Sequence, residues 1–298
     1  MRWHGVMPAI TTPFHSDLSV DHSFLRSHVT WLVDAGCTGI VALGSLGEGA
    51  TLTTAEKLAI LQSCVKAVGQ RVPVVAGISS LSTHEAVELA RQAHEMGCKG
   101  LMVLPPYVYS TDWREMKAHI AAILRATPLS CMLYNNPIAY RTDFLPEQIA
   151  ELATEFPHLH AVKESSGDVR RITAIKALLQ QRLAIFVGLD DLIVEGIQAG
   201  AVGWIAGLVN ALPAESVKLF ALASQGHIAD ALALYHWFLP LLRLDTVPKF
   251  VQLIKLVQQF VGKGHEQVRP PRLLLEGDER RQAVALIEQA LSSRLDAS

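Results

Sequence analysis

Long apolar runs are missing from this chain: none approaches the roughly 20 residues that a membrane span requires. The opening MRWHGVMPAITTPF has neither an apolar core of signal-peptide length nor a small-residue cleavage site, so no export signal is read. An excess of one charge is missing too. Lys and Arg number 26, Asp and Glu 28, and the signs are interspersed at a net −2, which speaks against a nucleic-acid footprint or a polybasic membrane patch. Cysteine is scarce. The four present, Cys37, Cys64, Cys98 and Cys131, lie in apolar segments and never pair as C-x-x-C. They read as reduced core residues of a cytoplasmic protein, not as ligands or a disulfide frame. The 12 histidines show no H-x-x-x-H and no cluster with cysteine, which argues against a metal centre. No G-x-G-x-x-G follows the first predicted strand and no G-x-x-x-x-G-K-[ST] occurs, which weakens a nucleotide-binding reading.

What is present is a core-forming composition, 50% hydrophobic over 298 residues, and an internal recurrence. AGCTGIVALG (35–44), MGCKGLMVLP (96–105) and AGAVGWIAGL (199–208) share one pattern: a helix end, a Gly, two residues, a second Gly and an apolar run. The first Gly suits a left-handed helix C-cap, and a run apolar throughout suits a parallel strand buried on both faces. Five further strands are predicted near Gly5–Ile10, Val72–Ala76, Ser130–Tyr134, Leu159–Lys163 and Ala184–Gly188. Amphipathic stripes predict helices between them, as at Phe24–Ala35 and Thr54–Val68. Ser82 and Glu85 have capping-box spacing, and Pro146 opens a helix. Eight strands alternating with helices predict an α/β fold, a (β/α)8 TIM barrel over residues 1–208. Residues 209–298 carry the last barrel helix and a C-terminal helical extension packed on the barrel, with helices at Ala214–Gln225, Ile228–Leu242, Val247–Val261 and Asp278–Ser293.

A barrel places its chemistry at the C-terminal strand ends. Lys163 ends the sixth predicted strand, Tyr134 the fifth, and Gly44-Ser45-Leu46-Gly47-Glu48 follows the second. Lys163 reads either as an amine paired with a carboxylate such as Glu164, or as a Schiff-base nucleophile. Tyr134 reads as a core phenol or as a proton shuttle. The turn at 44–47 is a plain loop or a cradle of N–H groups for a carboxylate. Three such positions converging on one mouth favour an enzyme. His158 and His160 lie at the start of a strand and read as structural. Asp190-Asp191 reads as an N-cap rather than a Mg²⁺ site, Arg170-Arg171 as a solvated helix face, and Met96, Met102 and Met132 as core filler.

These motifs resemble the dihydrodipicolinate synthase and N-acetylneuraminate lyase family of class I aldolases. GSLGE (44–48) resembles its G-x-x-G-E, YNNP (134–137) its Y-N-x-P, and VKES (162–165) its strand ending in the Schiff-base lysine. The similarity runs from Gly5 to Arg272. It implies that Lys163 forms an imine with a 2-oxo acid and that Tyr134 shuttles protons. It also implies that Ser45 and the Leu46 and Gly47 turn hold the carboxylate, while Tyr107, Tyr140, Gly188 and Ile205 line the pocket. It implies a homo-oligomer, tetramer or dimer, and chemistry that needs no metal or organic cofactor, the lysine being the electron sink.

The departures point away from the synthase itself. Ser45 and Leu46 stand where synthases have two threonines. Val108 stands where a relay tyrosine would follow Tyr107, leaving Tyr109 as a substitute. Ala139 stands where the second substrate's carboxylate would meet an arginine, leaving Arg141 nearby. The resemblance therefore implies aldol cleavage, dehydration or deamination of a small 4-hydroxy-2-oxo-acid-like compound, such as 1-pyrroline-4-hydroxy-2-carboxylate. The alternatives are 4-hydroxy-tetrahydrodipicolinate synthase and a silent 2-oxo-acid-binding protein.

Overall fold

A computed structural model describes residues 1–106 and 112–294. The first half runs β1 (Gly5–Pro8), α1 (His22–Asp34), β2 (Ile40–Ala42), α2 (Thr54–Val68), β3 (Val74–Ile78), α3 (Thr83–Glu95), β4 (Gly100–Val103) and α4 (Trp113–Arg125). Then come β5 (Ser130–Asn135), the single turn α5 (Pro137–Tyr140), α6 (Pro146–Glu155), β6 (Leu159–Glu164), α7 (Arg170–Leu179), β7 (Ala184–Val187), α8 (Ile193–Gln198) and β8 (Gly203–Ala206). Four helices complete the described chain: α9 (Pro213–Ser224), α10 (Ile228–Leu242), α11 (Phe250–Phe260) and α12 (Gly277–Ser292).

The eight strands are parallel and follow chain order, with β1 beside β8. Thr38 N–H donates to Val6 O at 2.9 Å and Ile10 N–H to Val41 O at 3.0 Å, which bring β2 against β1 and close the barrel. Strand interiors are buried throughout, as expected of a sheet covered by helices on one side and filled by its own side chains on the other.

The recurring glycines do what their position requires. After α1, α3 and α8, Gly36, Gly97 and Gly200 take φ of 101°, 91° and 108°. Each donates to the carbonyl three residues back, and the next residue donates five back, as Cys37 N–H does to Leu32 O at 3.2 Å. That is the Schellman closure, and it turns each helix straight into its strand. Ser82 caps α3 by accepting from Glu85 N–H at 3.2 Å, but the full reciprocal box forms at α2, between Thr53 and Glu56.

Several boundaries differ from the sequence expectation. The second strand ends at Ala42, not at the Gly44 turn, because Leu43 enters the left-handed region at φ 67°. The helix expected from Val247 begins at Phe250, leaving Val247, Pro248 and Lys249 as loop. Asp190 is not an N-cap: it is fully buried and accepts from Trp204 Nε1 at 2.9 Å and from the Gly207 and Leu208 N–H groups at 3.1 and 2.8 Å. Arg171 is not a solvated residue either; it forms a two-point bond to Asp143, while Arg170 is exposed and pairs with Asp168. His158 and His160 sit at the N-terminal end of β6, bonded to Leu124 O and Ser130 Oγ. All four cysteines are buried and free, and burial pushes their thiols up to about 12. Among the described residues no helix is long and apolar enough to cross a membrane.

Candidate active site

A cavity of about 460 Å³ opens at the C-terminal mouth of the barrel. Ser45 and Leu46 enter its wall from the turn after β2, Tyr134 from β5, Tyr140 from α5 and Lys163 from β6. Gly188 and Ile205 line it from the ends of β7 and β8. Tyr107, Val108 and Tyr109 lie outside the described residues. Gly47 is placed behind the wall, where its carbonyl accepts from Thr12 Oγ1 at 2.6 Å and an added Cβ would come within 2.9 Å of Ile10 O. Its part is turn geometry, not lining.

Tyr134 and Lys163 are partners in the β5–β6 register, so both side chains leave the sheet on the same face. The Lys163 amine lies 4.2 Å from the centre of the Tyr134 ring. Lys163 is 6% exposed, and among the described residues its amine has a ring contact but no hydrogen-bond or ion-pair partner. Glu164 points away from it and is occupied by Asn135 Nδ2 at 3.1 Å and Ser166 N–H at 2.7 Å. Burial raises the Glu164 carboxyl above its ordinary value. The pairing between neighbouring residues that the sequence left open is thus not made.

Gly188 explains how the lysine is held. A Cβ there would fall 1.8 Å from Ser165 Oγ, 2.7 Å from Lys163 Cε and 2.9 Å from its Cγ, so no larger residue fits without moving the amine. Opposite, the Ser45 hydroxyl is hydrogen-bonded to the Tyr140 phenol. The Tyr140 ring meets Tyr134 edge-on, centroids 5.9 Å apart, and the Tyr134 oxygen accepts from Asn136 Nδ2 at 2.9 Å. Among the described residues neither the Ser45 nor the Leu46 N–H donates to a backbone carbonyl, which leaves both available to an anion.

Three features escaped the sequence reading. Asp245, in the loop between α10 and α11, lines the cavity beside Thr246, Val247 and Pro248. Arg272 lines it at the rim, while Arg141, the arginine considered from sequence, is exposed at the end of α5 and is absent from the wall. Glu48, part of the GSLGE stretch, faces away and takes a buried bond from Lys255 Nζ at 2.6 Å. Nothing in the spacing of a C-terminal helical region tells which strand tip its loops approach. Among the described residues no group of three or more His, Cys, Asp or Glu side chains could hold a metal ion.

With this geometry in hand, comparison with known proteins is specific. The model of the dihydrodipicolinate synthetase family matches residues 2–290. A 4-hydroxy-tetrahydrodipicolinate synthase of Haloarcula marismortui is 32% identical over 290 residues, 96% of this chain and 94% of the relative. A dihydrodipicolinate synthase of Bacillus anthracis superposes with a TM-score of 0.93 at 28% identity, covering 99% of both chains. One from Acinetobacter baumannii, complexed with pyruvate, gives 0.91 at 27% identity over 96% of this chain and 98% of that one. The chain belongs to the dihydrodipicolinate synthetase family, enzymes of the class I aldolase type that work through a lysine imine.

Proposed function

We propose that Lys163 is the imine-forming residue and that the substrate is a small 4-hydroxy-2-oxo acid, or its cyclic imine 1-pyrroline-4-hydroxy-2-carboxylate, from which water or ammonia is released. The observation that carries this reading is a buried lysine on a cavity wall, held by Gly188 and given no hydrogen-bond or ion-pair partner among the described residues. An amine so placed faces the cavity with no hydrogen bond to break before it adds to a bound carbonyl carbon.

In this reading the Ser45 and Leu46 N–H groups hold the substrate carboxylate. The Lys163 amine adds at C2. For an open-chain 2-oxo acid, water then leaves. For the pyrroline, the bond from C2 to the ring nitrogen breaks and frees an amine at C5. The Tyr134 phenol stands beside the amine, where it relays protons through these steps. The Tyr140 phenol reaches Ser45 from this chain's own α5. Arg272 adds positive potential at the rim, which favours entry of an anion. The walls contributed by Leu46, Met102, Ile205, Val247 and Phe250 are apolar and suit a short substrate over a polyhydroxylated one. Assembly as a dimer or tetramer goes with this reading through the family resemblance, and light scattering reads it directly.

A second reading, 4-hydroxy-tetrahydrodipicolinate synthase, is favoured by the names of the relatives. Against it stand Ala139 in place of the expected arginine and the exposure of Arg141. Borohydride trapping with pyruvate, mapped by peptide mass spectrometry, is the test. A pyruvate adduct on Lys163, absent in Lys163→Ala, supports the imine assignment; an adduct on another lysine, or none from folded protein, overturns it. Turnover of pyruvate with aspartate semialdehyde, faster than that of the hydroxy acids, would move the synthase reading to first place.

A further inference from the structure

Asp245 has no part in the chemistry described so far, yet among the described residues it is the acid on the cavity wall. It reaches the wall because residue 207 is glycine: a Cβ at Gly207 would lie 2.0 Å from Asp245 Oδ1 and 2.4 Å from its Cγ. Oδ1 is buried there without a hydrogen-bond partner among the described residues. The same turn is gripped from behind by Asp190, whose two oxygens accept from Trp204 Nε1 and from the Gly207 and Leu208 N–H groups. Two carboxyls therefore face one turn, and among the described residues only Asp190 is given donors. The donors favour an anion at Asp190, whereas Asp245 Oδ1 has none among the described residues, so a proton is favoured on Asp245.

The direction of titration agrees: burial first, then the Asp190 charge, raises the Asp245 carboxyl well above its ordinary range, while Lys163 opposes this and Asp191 adds to it. Burial also raises Asp190, to about 6. The neighbouring Thr246 hydroxyl already donates to Arg243 O at 3.1 Å, and Val247, Pro248 and Phe250 beside it are apolar. A polar substrate group on this side of the cavity meets Asp245.

We propose that Asp245 is the proton donor to the hydroxyl leaving from C4 of the Lys163-bound substrate. This rests on the imine reading given above. From the imine, the C3–H bond breaks, its electrons form the enamine and its proton passes to solvent. The C4–O bond then breaks, the electron pair leaves with oxygen, and that oxygen takes the Asp245 proton and departs as water. Asp245 regains a proton from solvent, so protons balance and nothing is oxidised or reduced. A neutral carboxylic acid is a donor at neutral pH only where burial and a nearby anion keep it protonated, which is its situation here.

The test uses the full-length enzyme with 1-pyrroline-4-hydroxy-2-carboxylate and a 4-hydroxy-2-oxo acid, following product release and borohydride-trapped adducts on Lys163. Asp245→Asn is expected to lower kcat at least 100-fold with KM within threefold. Its trapped adduct should keep the hydroxyl, whereas the wild-type adduct has lost 18 mass units of water. Asp245→Glu should recover at least tenfold over Asn, which a merely structural role would not produce. Turnover of Asp245→Asn within threefold of wild type, with a dehydrated adduct, overturns the assignment and leaves the imine reading standing. Loss of the Lys163 adduct in folded Asp245→Asn also overturns it, since Asp245 would then position the lysine. A wild-type enzyme that forms the adduct but releases no water overturns both this assignment and the proposed substrate class.

Discussion

Two buried lysines, Lys255 and Lys163, have similar burial and opposite circumstances. Lys255, on α11, is 1% exposed; its amine donates to Glu48 Oε1 at 2.6 Å and to Gln267 O at 2.7 Å, and lies 4.5 Å from the Phe14 ring centre. Glu48 takes a further bond from Arg269 N–H at 3.0 Å. Arg269 in turn grips Glu56 with two bonds, so the stretch after α11 is tied both to the loop after β2 and to the first turn of α2. Lys163 is 6% exposed and lies 4.2 Å from a ring centre, but neither carboxylate near it bonds to its amine. Where every donor and acceptor is matched, a buried lysine fastens two segments together. Where matching is withheld and a cavity is supplied, it is left for a ligand to satisfy.

The largest effect expected from breaking this contrast is on the matched side. Lys255→Met leaves Glu48 buried without its cation and should cost about 3–5 kcal/mol in chemical denaturation, while folded protein still traps pyruvate. Glu48→Gln with Lys255→Met together should recover a large part of that loss. A single variant as stable as wild type would show that the pair does not fasten the loop.

A buried base kept neutral provides the next test. His28 donates from Nε2 to Asn210 Oδ1 over 3.1 Å, its Nδ1 has no hydrogen-bond partner among the described residues, and burial depresses it from 6.5 to about 4. Between those values the unfolded chain binds the proton and the folded chain does not. Stability from this group is therefore full above pH 6.5 and declines as pH falls towards 4, by roughly 3 kcal/mol. Asp190 and Asp245, with raised values, act in the opposite direction in that window. The measurement is thus the difference in urea midpoint between wild type and His28→Gln at pH 7.5 and 4.5. A difference independent of pH would refute it.

The smallest of these effects falls on the unmatched side and on chemistry alone. Gly188→Ala should push the Lys163 side chain aside and lower turnover about 100-fold, near 2.7 kcal/mol in barrier, with most of the protein still folded. Full trapping of pyruvate by this variant would mean that Gly188 does not hold the amine.

Much of the barrel was legible because its signals are local. The three Gly-containing recurrences became three Schellman turns into strands, since only glycine takes that φ without strain. Lys163, Tyr134 and Ser45 were legible as a set because strand ends of a barrel share one mouth. Asp245 was not. It stands between two apolar helical stretches, where a charged residue is unremarkable in a linear reading, and its proximity to Gly207 depends on how α10 and α11 pack. Asp190 looked like an N-cap for the same reason: an acid before a helix has a local use, and its actual donors lie 14 to 18 residues away on and after β8.

The sequence by itself determined the repeating β/α unit, the strand tips and the residues that stand on them, because periodicity, glycine placement and helix caps act within a few residues. The tertiary structure decided which charges are matched and which are not. It brought Lys255 to Glu48 across 207 residues of chain, placed Asp245 on the Gly207 turn and left Lys163 without a hydrogen-bond or ion-pair partner among the described residues. Whether a buried charge is stabilised depends on what lies within hydrogen-bonding reach in space, and separation along the chain carries no information about that.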